Sequence, residues 1–161
     1  MVTQSRLKEL FSYNPDDGLF TRIAPVKKAN VGDIAGCHTK NGYITISVDC
    51  KTYYAHRLAF LYVHGYLPKQ IDHKDLIRHH NWIDNLRPAN HQLNEANKRQ
   101  PKNALSPYKG VQQHGKKWKA RIKVNKKEIH LGMFECPIEG AKAYNEAAKK
   151  HFGEYARLNN V

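Results

Sequence analysis

The chain has 161 residues, 40% of them hydrophobic, and carries 27 Lys and Arg against 14 Asp and Glu, a formal charge of +13. This charge predicts a polyanionic partner, with nucleic acid as the first candidate and a membrane surface as the competing one. A membrane is disfavoured because the sequence has no run of 18 apolar residues, no dominant basic amphipathic helix and no signal-peptide pattern at its start.

The first predicted element is a short helix over residues 3–11, with Thr3 as its N-cap. The run of Asn, Pro, Asp and Gly over residues 14–18 predicts a turn after this helix. Residues 19–22 are predicted to form a strand.

A hairpin and a second helix are predicted next. Residues 42–49 alternate apolar and polar side chains, as a half-buried strand does, and residues 52–55 supply the partner strand. Residues 56–64 are rich in apolar side chains and predict a helix that ends at Gly65. We expect this helix to be core support for the site that follows it.

Two short strands and a third helix are predicted in the next stretch. The strands cover residues 71–73 and 83–87. Asn90 is a suitable N-cap for a helix from residue 91 to about residue 99.

Four polar residues of this stretch carry its chemistry: Asp72, His73, Asn85 and Asn94. A carboxylate and an amide oxygen can hold a hard metal ion, and a neighbouring imidazole can take a proton from water. The combination predicts phosphodiester hydrolysis. The alternative is a loop Asp72 that caps a local amide beside an incidental histidine. Three nearby histidines are each interpreted as surface or DNA-contacting residues: His79, His80 and His91.

The stretch resembles the HNH nuclease family, in the subgroup of phage and intron-encoded homing endonucleases. The matching runs are Ile71-Asp72-His73-Lys74-Asp75, Asn81-Trp82-Ile83-Asp84-Asn85-Leu86-Arg87 and Asn94-Glu95-Ala96-Asn97-Lys98-Arg99. The resemblance implies a ββα-metal core over about residues 70–99, in which the helix brings its ligand to those of the first strand. By position, His73 is the general base, Asn85 braces the site, and the metal ligands are Asp72 and Asn94. Leu76 and Ile77 stand where the family usually has a Gly-Asn turn.

The positive charge is concentrated towards the C-terminal end. Residues 100–161 hold 13 Lys and Arg against 5 Asp and Glu, whereas residues 1–99 hold 14 against 9. Residues 118–124 alternate strictly, with Lys119, Arg121 and Lys123 on one face of the predicted strand. No acid lies between residues 116 and 127, so these cations would repel one another unless phosphates neutralise them. An ordinary solvated strand face is the alternative interpretation.

Residues 137–151 predict an amphipathic helix that begins at a proline and is closed by Gly153. Its apolar stripe consists of Ile138, Ala141, Tyr144 and Ala148. Three strands backed by this helix form the expected unit. Residues 100–105 lack apolar periodicity and predict a linker, which divides the chain into domains of residues 1–99 and 106–161.

The second domain closely resembles the AP2 DNA-binding domain over residues 106–159. The matching runs include Ser106-Pro107-Tyr108-Lys109-Gly110-Val111, Trp118-Lys119-Ala120-Arg121-Ile122, Ile129-His130-Leu131-Gly132-Met133-Phe134 and Phe152-Gly153-Glu154-Tyr155. That family lays its sheet in the DNA major groove. By position, the DNA-facing residues are Lys109, Gln112, His114, Lys117, Lys119, Arg121, Lys123, Glu128 and His130. Gln112 and His114 stand where plant members often have arginines, so the target sequence cannot be borrowed from them.

The sequence therefore predicts an α+β protein: a ββα-metal HNH nuclease domain preceded by β-hairpins and a support helix, then a three-stranded antiparallel sheet packed on one helix. We expect a homing-type endonuclease that nicks or cleaves double-stranded DNA with Mg²⁺ or Mn²⁺, as a monomer or homodimer. The alternative is a sequence-specific DNA-binding regulator with an inactive nuclease site. RNA binding is a third interpretation, but a three-stranded sheet suits the major groove of B-DNA better.

Three cysteines, Cys37, Cys50 and Cys136, lack C-x-x-C spacing, so neither a disulfide framework nor a zinc ribbon is predicted and we expect reduced thiols. A soluble protein in the cytoplasm is expected, that of a bacterial host cell if the gene belongs to a phage.

Overall fold

The computed structural model describes residues 2–26, 29–101 and 103–161. They form two compact units, Met1–Ala89 and Asn90–Val161. Both units mix helices with antiparallel sheets. No helix within these three described stretches is both long and apolar enough to cross a membrane. The cysteines are free.

The first unit begins with helix α1 (Gln4–Leu10), and the hydroxyl of its N-cap Thr3 accepts a hydrogen bond from the Arg6 amide, as the sequence predicted. The helix ends before Phe11, which is already extended and begins a three-stranded antiparallel sheet. The strands of this sheet are β1 (Phe11–Tyr13), β2 (Phe20–Arg22) and β3 (Ile34–Ala35).

A second antiparallel sheet precedes the support helix. Its strands are β4 (Cys37–His38), β5 (Ile44–Val48) and β6 (Lys51–Tyr54). Helix α2 (Ala55–His64) follows directly and ends at Gly65, whose φ of +75° is the left-handed conformation expected of a helix-ending glycine. The predicted hairpin and helix are both present.

The hairpin that positions the site pairs strand β7 (Gln70–His73) with strand β8 (Leu86–Ala89). The sequence predicted the second strand over residues 83–87, but Ile83–Asn85 form a 3₁₀ turn and pairing begins at Leu86. The reason is tertiary: the side chain of Asn85 bonds to the loop between the two strands, which holds this stretch out of the ladder.

The core of the first unit gathers side chains from α1, α2 and the first two sheets. Its largest fully buried apolar members are Phe11, Phe20, Phe60, Leu7, Ile46 and Leu58. Each contributes roughly 1.5–3 kcal/mol of transfer free energy. Gly18 lets the predicted turn approach the site, because a Cβ there would lie 2.3 Å from backbone atoms of Asn81 and Trp82.

The second unit begins with helix α3 (His91–Asn97), capped by the side chain of Asn90, which accepts a hydrogen bond from the Leu93 amide. Its antiparallel sheet consists of β9 (Val111–His114), β10 (Lys117–Val124) and β11 (Lys127–Phe134), with β10 in the middle. Helix α4 (Pro137–Phe152) packs on this sheet. The three strands and their helix match the unit expected from the sequence.

The predicted apolar stripe of α4 is wrong at one residue, Ile138. Ala141, Tyr144 and Ala148 are buried, but Ile138 is 42% exposed. Gly140 packs against Val111 instead, and at 3.6 residues per turn Ile138 then falls at the edge of the buried face.

The chain divides into the two compact units between Ala89 and Asn90, so α3 belongs to the second unit. The sequence placed the boundary at a linker of residues 100–105, and those domain limits stay a prediction.

Candidate functional site

Asp72 and Arg87 face each other across the β7–β8 hairpin. Nε and Nη2 of Arg87 donate hydrogen bonds of 3.0 and 2.8 Å to Oδ2 of Asp72. Both side chains are buried, with 7% and 9% of the Arg87 and Asp72 side chains exposed. The predicted metal ligand is therefore held in a buried ion pair, which fixes the orientation of its carboxylate.

His73 follows Asp72 on β7 and is buried. Its Nε2 lies 3.2 Å from Oδ1 of Asn81, and because an amide oxygen only accepts, Nε2 donates and the lone pair is on Nδ1. Burial lowers the pKa of His73 below its ordinary value, although Asn81, Asp75 and Asp72 oppose this shift. The imidazole is therefore neutral near pH 7 and can accept a proton.

Helix α2 contributes a second buried imidazole beside His73. The rings of His56 and His73 are 5.1 Å apart between centroids and meet edge to face. Burial, followed by the nearby His73 and Arg57, lowers the pKa of His56 to about 3. Tyr43, which directly precedes β5, also approaches, with the centroid of its ring 6.2 Å from that of His73. The imidazole of His73 is therefore packed against the rings of His56 and Tyr43.

Asn85 holds the loop between the two strands. Its Oδ1 accepts a hydrogen bond of 3.1 Å from the Asp75 amide, and its Nδ2 donates to Oδ1 of Asp75 and the His80 carbonyl. Burial alone would raise the pKa of Asp75, but hydrogen bonds from Ile77, His80 and Asn85 lower it below its ordinary range. The geometry is that of a loop brace, and a part in catalysis stays a prediction.

Leu76 occupies a left-handed conformation, with φ of +67°. Its amide donates a 3.0 Å hydrogen bond to the His73 carbonyl, which closes the turn after the strand. A glycine would adopt this conformation without strain. The turn is therefore formed with leucine in place of the family's usual glycine.

The sequence predicted that Asp72 and Asn94 bind a metal ion together. Asn94 lies on α3 in the second unit, and its part in the site stays a prediction. Within the described stretches, no three His, Cys, Asp or Glu side chains group closely enough to hold a metal ion. An ion-paired carboxylate fits a hard cation that keeps waters and shares a phosphate oxygen, rather than a preformed metal cage.

The exposed face of the second unit's sheet carries the predicted DNA-facing residues of the three strands. These are Gln112, His114, Lys117, Lys119, Arg121, Lys123, Glu128 and His130. Oε1 of Glu128 accepts a hydrogen bond of 3.3 Å from Lys119, and Oε2 one of 2.7 Å from Arg121. These bonds hold the pKa of Glu128 below its ordinary range. The expectation that only phosphates could relieve the repulsion is therefore wrong, because a cross-strand carboxylate already does so.

Lys109 was grouped with these residues, but it has a different environment. Its Nζ donates to the carbonyls of Glu95, Ala96 and Lys98 at 3.0, 2.6 and 2.8 Å. Burial lowers the pKa of Lys109 to about 8. A contact between Lys109 and DNA stays a prediction.

Sequence reasoning missed Arg87, Asn81 and His56 as parts of the site. Arg87 was detectable in principle, since an arginine paired across a hairpin from a buried aspartate signals an ion pair. His56 and Asn81 reach His73 through tertiary packing, which leaves no local signal.

Comparison with known proteins finds two kinds of similarity. The HNH endonuclease family matches residues 53–96. Dehydration-responsive element-binding protein 2C of Arabidopsis thaliana is 42% identical over 62 residues, which are 37% of this chain and 18% of that protein. Putative dehydration-responsive element-binding protein 2H of Arabidopsis thaliana is 40% identical over 62 residues, which are 37% of this chain and 40% of that protein. An ethylene-responsive transcription factor-like protein is 50% identical over 40 residues, 25% of this chain and 18% of its own. This chain thus spans less than half of each of these relatives.

Proposed function

We propose that this chain, which combines an HNH endonuclease domain with an AP2-like region, is a metal-dependent endonuclease that hydrolyses phosphodiester bonds in double-stranded DNA. The observation that carries the proposal is the buried, neutral imidazole of His73 directly beside the buried carboxylate of Asp72. A homing-type role is the finer form of the same proposal.

In this mechanism His73 is the general base. Its Nε2 is engaged by Asn81, so Nδ1 takes a proton from the attacking water while the water oxygen forms a bond to phosphorus and the bond to the leaving oxygen breaks. The aromatic wall of Tyr43 and His56 limits the positions of the ring.

HNH nucleases generally use divalent metals, and we propose Mg²⁺ or Mn²⁺ held by Asp72 and Asn94 together with the substrate phosphate. A bound cation would stabilise the negative charge on the phosphate and on the leaving oxygen. Asp72 supplies a carboxylate whose direction Arg87 fixes. Asn85 keeps the loop after His73 in place.

The AP2-like region supplies affinity and register on the DNA in this proposal. Its exposed sheet face presents cations and amides at a width that suits the major groove. We expect duplex DNA to be preferred over structured RNA, and equal or tighter RNA binding in a competition assay would reverse this assignment. One such site per chain implies nicking, with a double-strand cut requiring two chains or two visits.

The test is nicking of supercoiled plasmid with Mg²⁺ or Mn²⁺. We expect His73→Ala to lower the rate by about 100-fold or more while DNA affinity is retained. His151→Ala removes an exposed imidazole at the end of α4 and serves as the matched control.

A DNA-binding regulator with an inactive nuclease site is the second candidate. The observation in its favour is the guanidinium of Arg87, which already balances the charge of the carboxylate proposed to bind metal. Specific DNA binding by the wild-type protein without nicking under either metal would establish this candidate and exclude the first.

A further inference from the structure

Helix α3 carries Asn94 and is too short to be stable without tertiary contacts. It spans only His91–Asn97, and isolated helices shorter than about 12 residues are marginal in water. It borders an open groove of about 1130 Å³ whose walls include Gln92, Ala96, Lys109, Arg121 and Tyr144. A helix this short therefore relies on tertiary contacts, among them those described below.

The C-terminal end of α3 is held by one ammonium group. The last carbonyls of a helix lack partners within it and carry partial negative charge. Nζ of Lys109 donates to three carbonyls at this end, those of Glu95, Ala96 and Lys98, at 2.6–3.0 Å. The Arg157 amide also donates to the Ala96 carbonyl. The ammonium of Lys109 therefore caps the C-terminal end of α3, although Lys109 lies outside the helix.

The backbone of Lys109 is itself fixed. Its amide donates to Oδ1 of Asn159 at 2.7 Å, and Nδ2 of Asn159 donates to its carbonyl at 3.1 Å. Asn159 is held in turn by two bonds with the side chain of Asn145 on α4. The ammonium therefore projects from a rigid point of the second unit.

Two further contacts join α3 to the same unit. Oε1 of Gln92 accepts a 2.7 Å hydrogen bond from the Asn125 amide in the turn between β10 and β11. Ala96 is buried in the core that includes Ile122, Tyr144 and Phe152. These contacts fix the N-terminal turn and the buried face of the helix.

We propose that Lys109 is a positioning residue that fixes α3, and with it Asn94, to the sheet and helix of the AP2-like region. The region that binds DNA then also orders a residue of the nuclease motif. The match to the HNH family runs to residue 96 and so ends inside α3, within the second unit. The sequence instead predicted a linker at residues 100–105, which would place α3 in the first domain, apart from the AP2-like domain. This inference rests on the proposed nuclease function for its catalytic consequence only.

The direct test is amide hydrogen exchange of the full chain without DNA. We expect Lys109→Met, which keeps the aliphatic stem, to speed exchange of the amides of residues 94–97 by about tenfold or more. Lys142→Met removes an exposed lysine from α4 and is the charge-matched control. Asn159→Ala changes no charge and removes the two bonds that fix the backbone of Lys109, so it should also speed exchange in α3 and keeps the test valid if Lys109→Met folds poorly.

The catalytic test separates rate from affinity. With plasmid at saturating concentration, we expect Lys109→Met to lower the nicking rate by about tenfold or more and to raise the Mg²⁺ concentration needed for half-maximal rate. Its DNA dissociation constant should stay within about twofold of the wild-type value, with an unchanged salt dependence.

The opposite pattern would overturn the proposal. If Lys109→Met weakens DNA binding, lowers the salt slope by about 1 and leaves exchange in α3 unchanged, Lys109 contacts phosphate and does not position the helix. Absence of nicking by the wild-type protein under both metals would refute the nuclease function alone, since faster exchange in α3 would still support its attachment through Lys109.

Discussion

At the scale of single residues, Leu76 departs from the backbone conformation that leucine prefers. A non-glycine residue in the left-handed region costs roughly 1–2 kcal/mol. The loop accepts this cost because Asp75 and Asn85 fix the residues around it through hydrogen bonds. The strained residue is therefore joined by one backbone hydrogen bond to His73, the predicted general base.

Replacing Leu76 measures this strain. We expect Leu76→Gly to be more stable than Leu76→Ala by about 1 kcal/mol, because both remove the half-buried side chain but only glycine relieves the backbone. Urea unfolding of the two variants gives the comparison. Equal stability, or a more stable alanine variant, would mean that the loop relaxes and stores no strain.

His56 predicts how stability depends on pH. Its folded pKa of about 3 lies below the ordinary ~6.5 of histidine, so the unfolded chain binds a proton over an interval in which the folded protein does not. The stabilisation is complete above pH ~6.5 and is lost as the pH falls towards 3. Between pH 7 and 4.5 this residue should account for about 2 kcal/mol of lost unfolding free energy.

The variant His56→Gln should therefore lose about 2 kcal/mol less than the wild-type protein over the same interval. His64→Gln, at the exposed end of α2, is the control and should retain the wild-type loss. An unchanged pH dependence in His56→Gln would show that the imidazole reaches solvent.

At the scale of elements, the β7–β8 hairpin is organised around its buried ion pair. Register places Asp72 opposite Arg87, and Nε and Nη2 of the guanidinium donate to the same carboxylate oxygen. Breaking a buried pair by removing one partner is strongly destabilising, because it leaves an uncompensated charge.

We expect Arg87→Met to lower the unfolding free energy by about 3–5 kcal/mol at pH 7. The double variant Asp72→Asn, Arg87→Met should recover most of that loss, since no charge is then left buried. Denaturant unfolding of the three proteins supplies both numbers. A loss below about 1 kcal/mol in the single variant would mean that water reaches the carboxylate.

How much of the fold the sequence predicts depends on how local the signals are. Thr3, Gly65 and Asn90 act within a turn of their own helices, and all three occupy the predicted caps. Strands β3 and β4 have two residues each, too few for alternation to be visible. The 3₁₀ turn that ends at Asn85 depends on bonds to a loop ten residues away and has no local signature.

In the candidate site, too, some residues can be predicted from local sequence and others cannot. Asp72 and His73 are adjacent in the chain, so their chemistry can be read from the sequence. The partners that set their charge and orientation, Arg87 and Asn81, come from strand register and loop packing. The assignment of α3 to the second unit was not predictable either, because Lys109 reaches it from more than ten residues away.

At the scale of the whole molecule, part of the charge of +13 is balanced by acidic side chains and would not be available to the proposed DNA partner. Residues 100–161 hold 13 Lys and Arg, but Glu128 engages both Lys119 and Arg121, and Glu135 engages Lys117. Counterion release depends on the cations that reach phosphate, not on their number in the sequence.

Removing the carboxylate of Glu128 should therefore strengthen non-specific binding to duplex DNA. We expect Glu128→Gln to steepen the slope of log K against log salt by about 1–2, because Lys119 and Arg121 become available to phosphates. Glu146→Gln, on the exposed side of α4, adds the same net charge at a distance from the strands and should change the slope less. Titrations of a random-sequence duplex at several salt concentrations decide between them, and equal slopes would show that Glu128 does not restrain the two cations.

If the sheet binds DNA as proposed, the Glu128 carboxylate within this cationic surface would also affect the search for a target. In the proposed complex, Glu128 would repel a phosphate placed over it, which would shorten encounters with arbitrary stretches of duplex. At a stretch that presents a cytosine amino group in the groove, the same oxygens can accept its hydrogens, and residence there lengthens. One acidic side chain would in this way lower the affinity for non-specific DNA and raise the rate at which the target site is found.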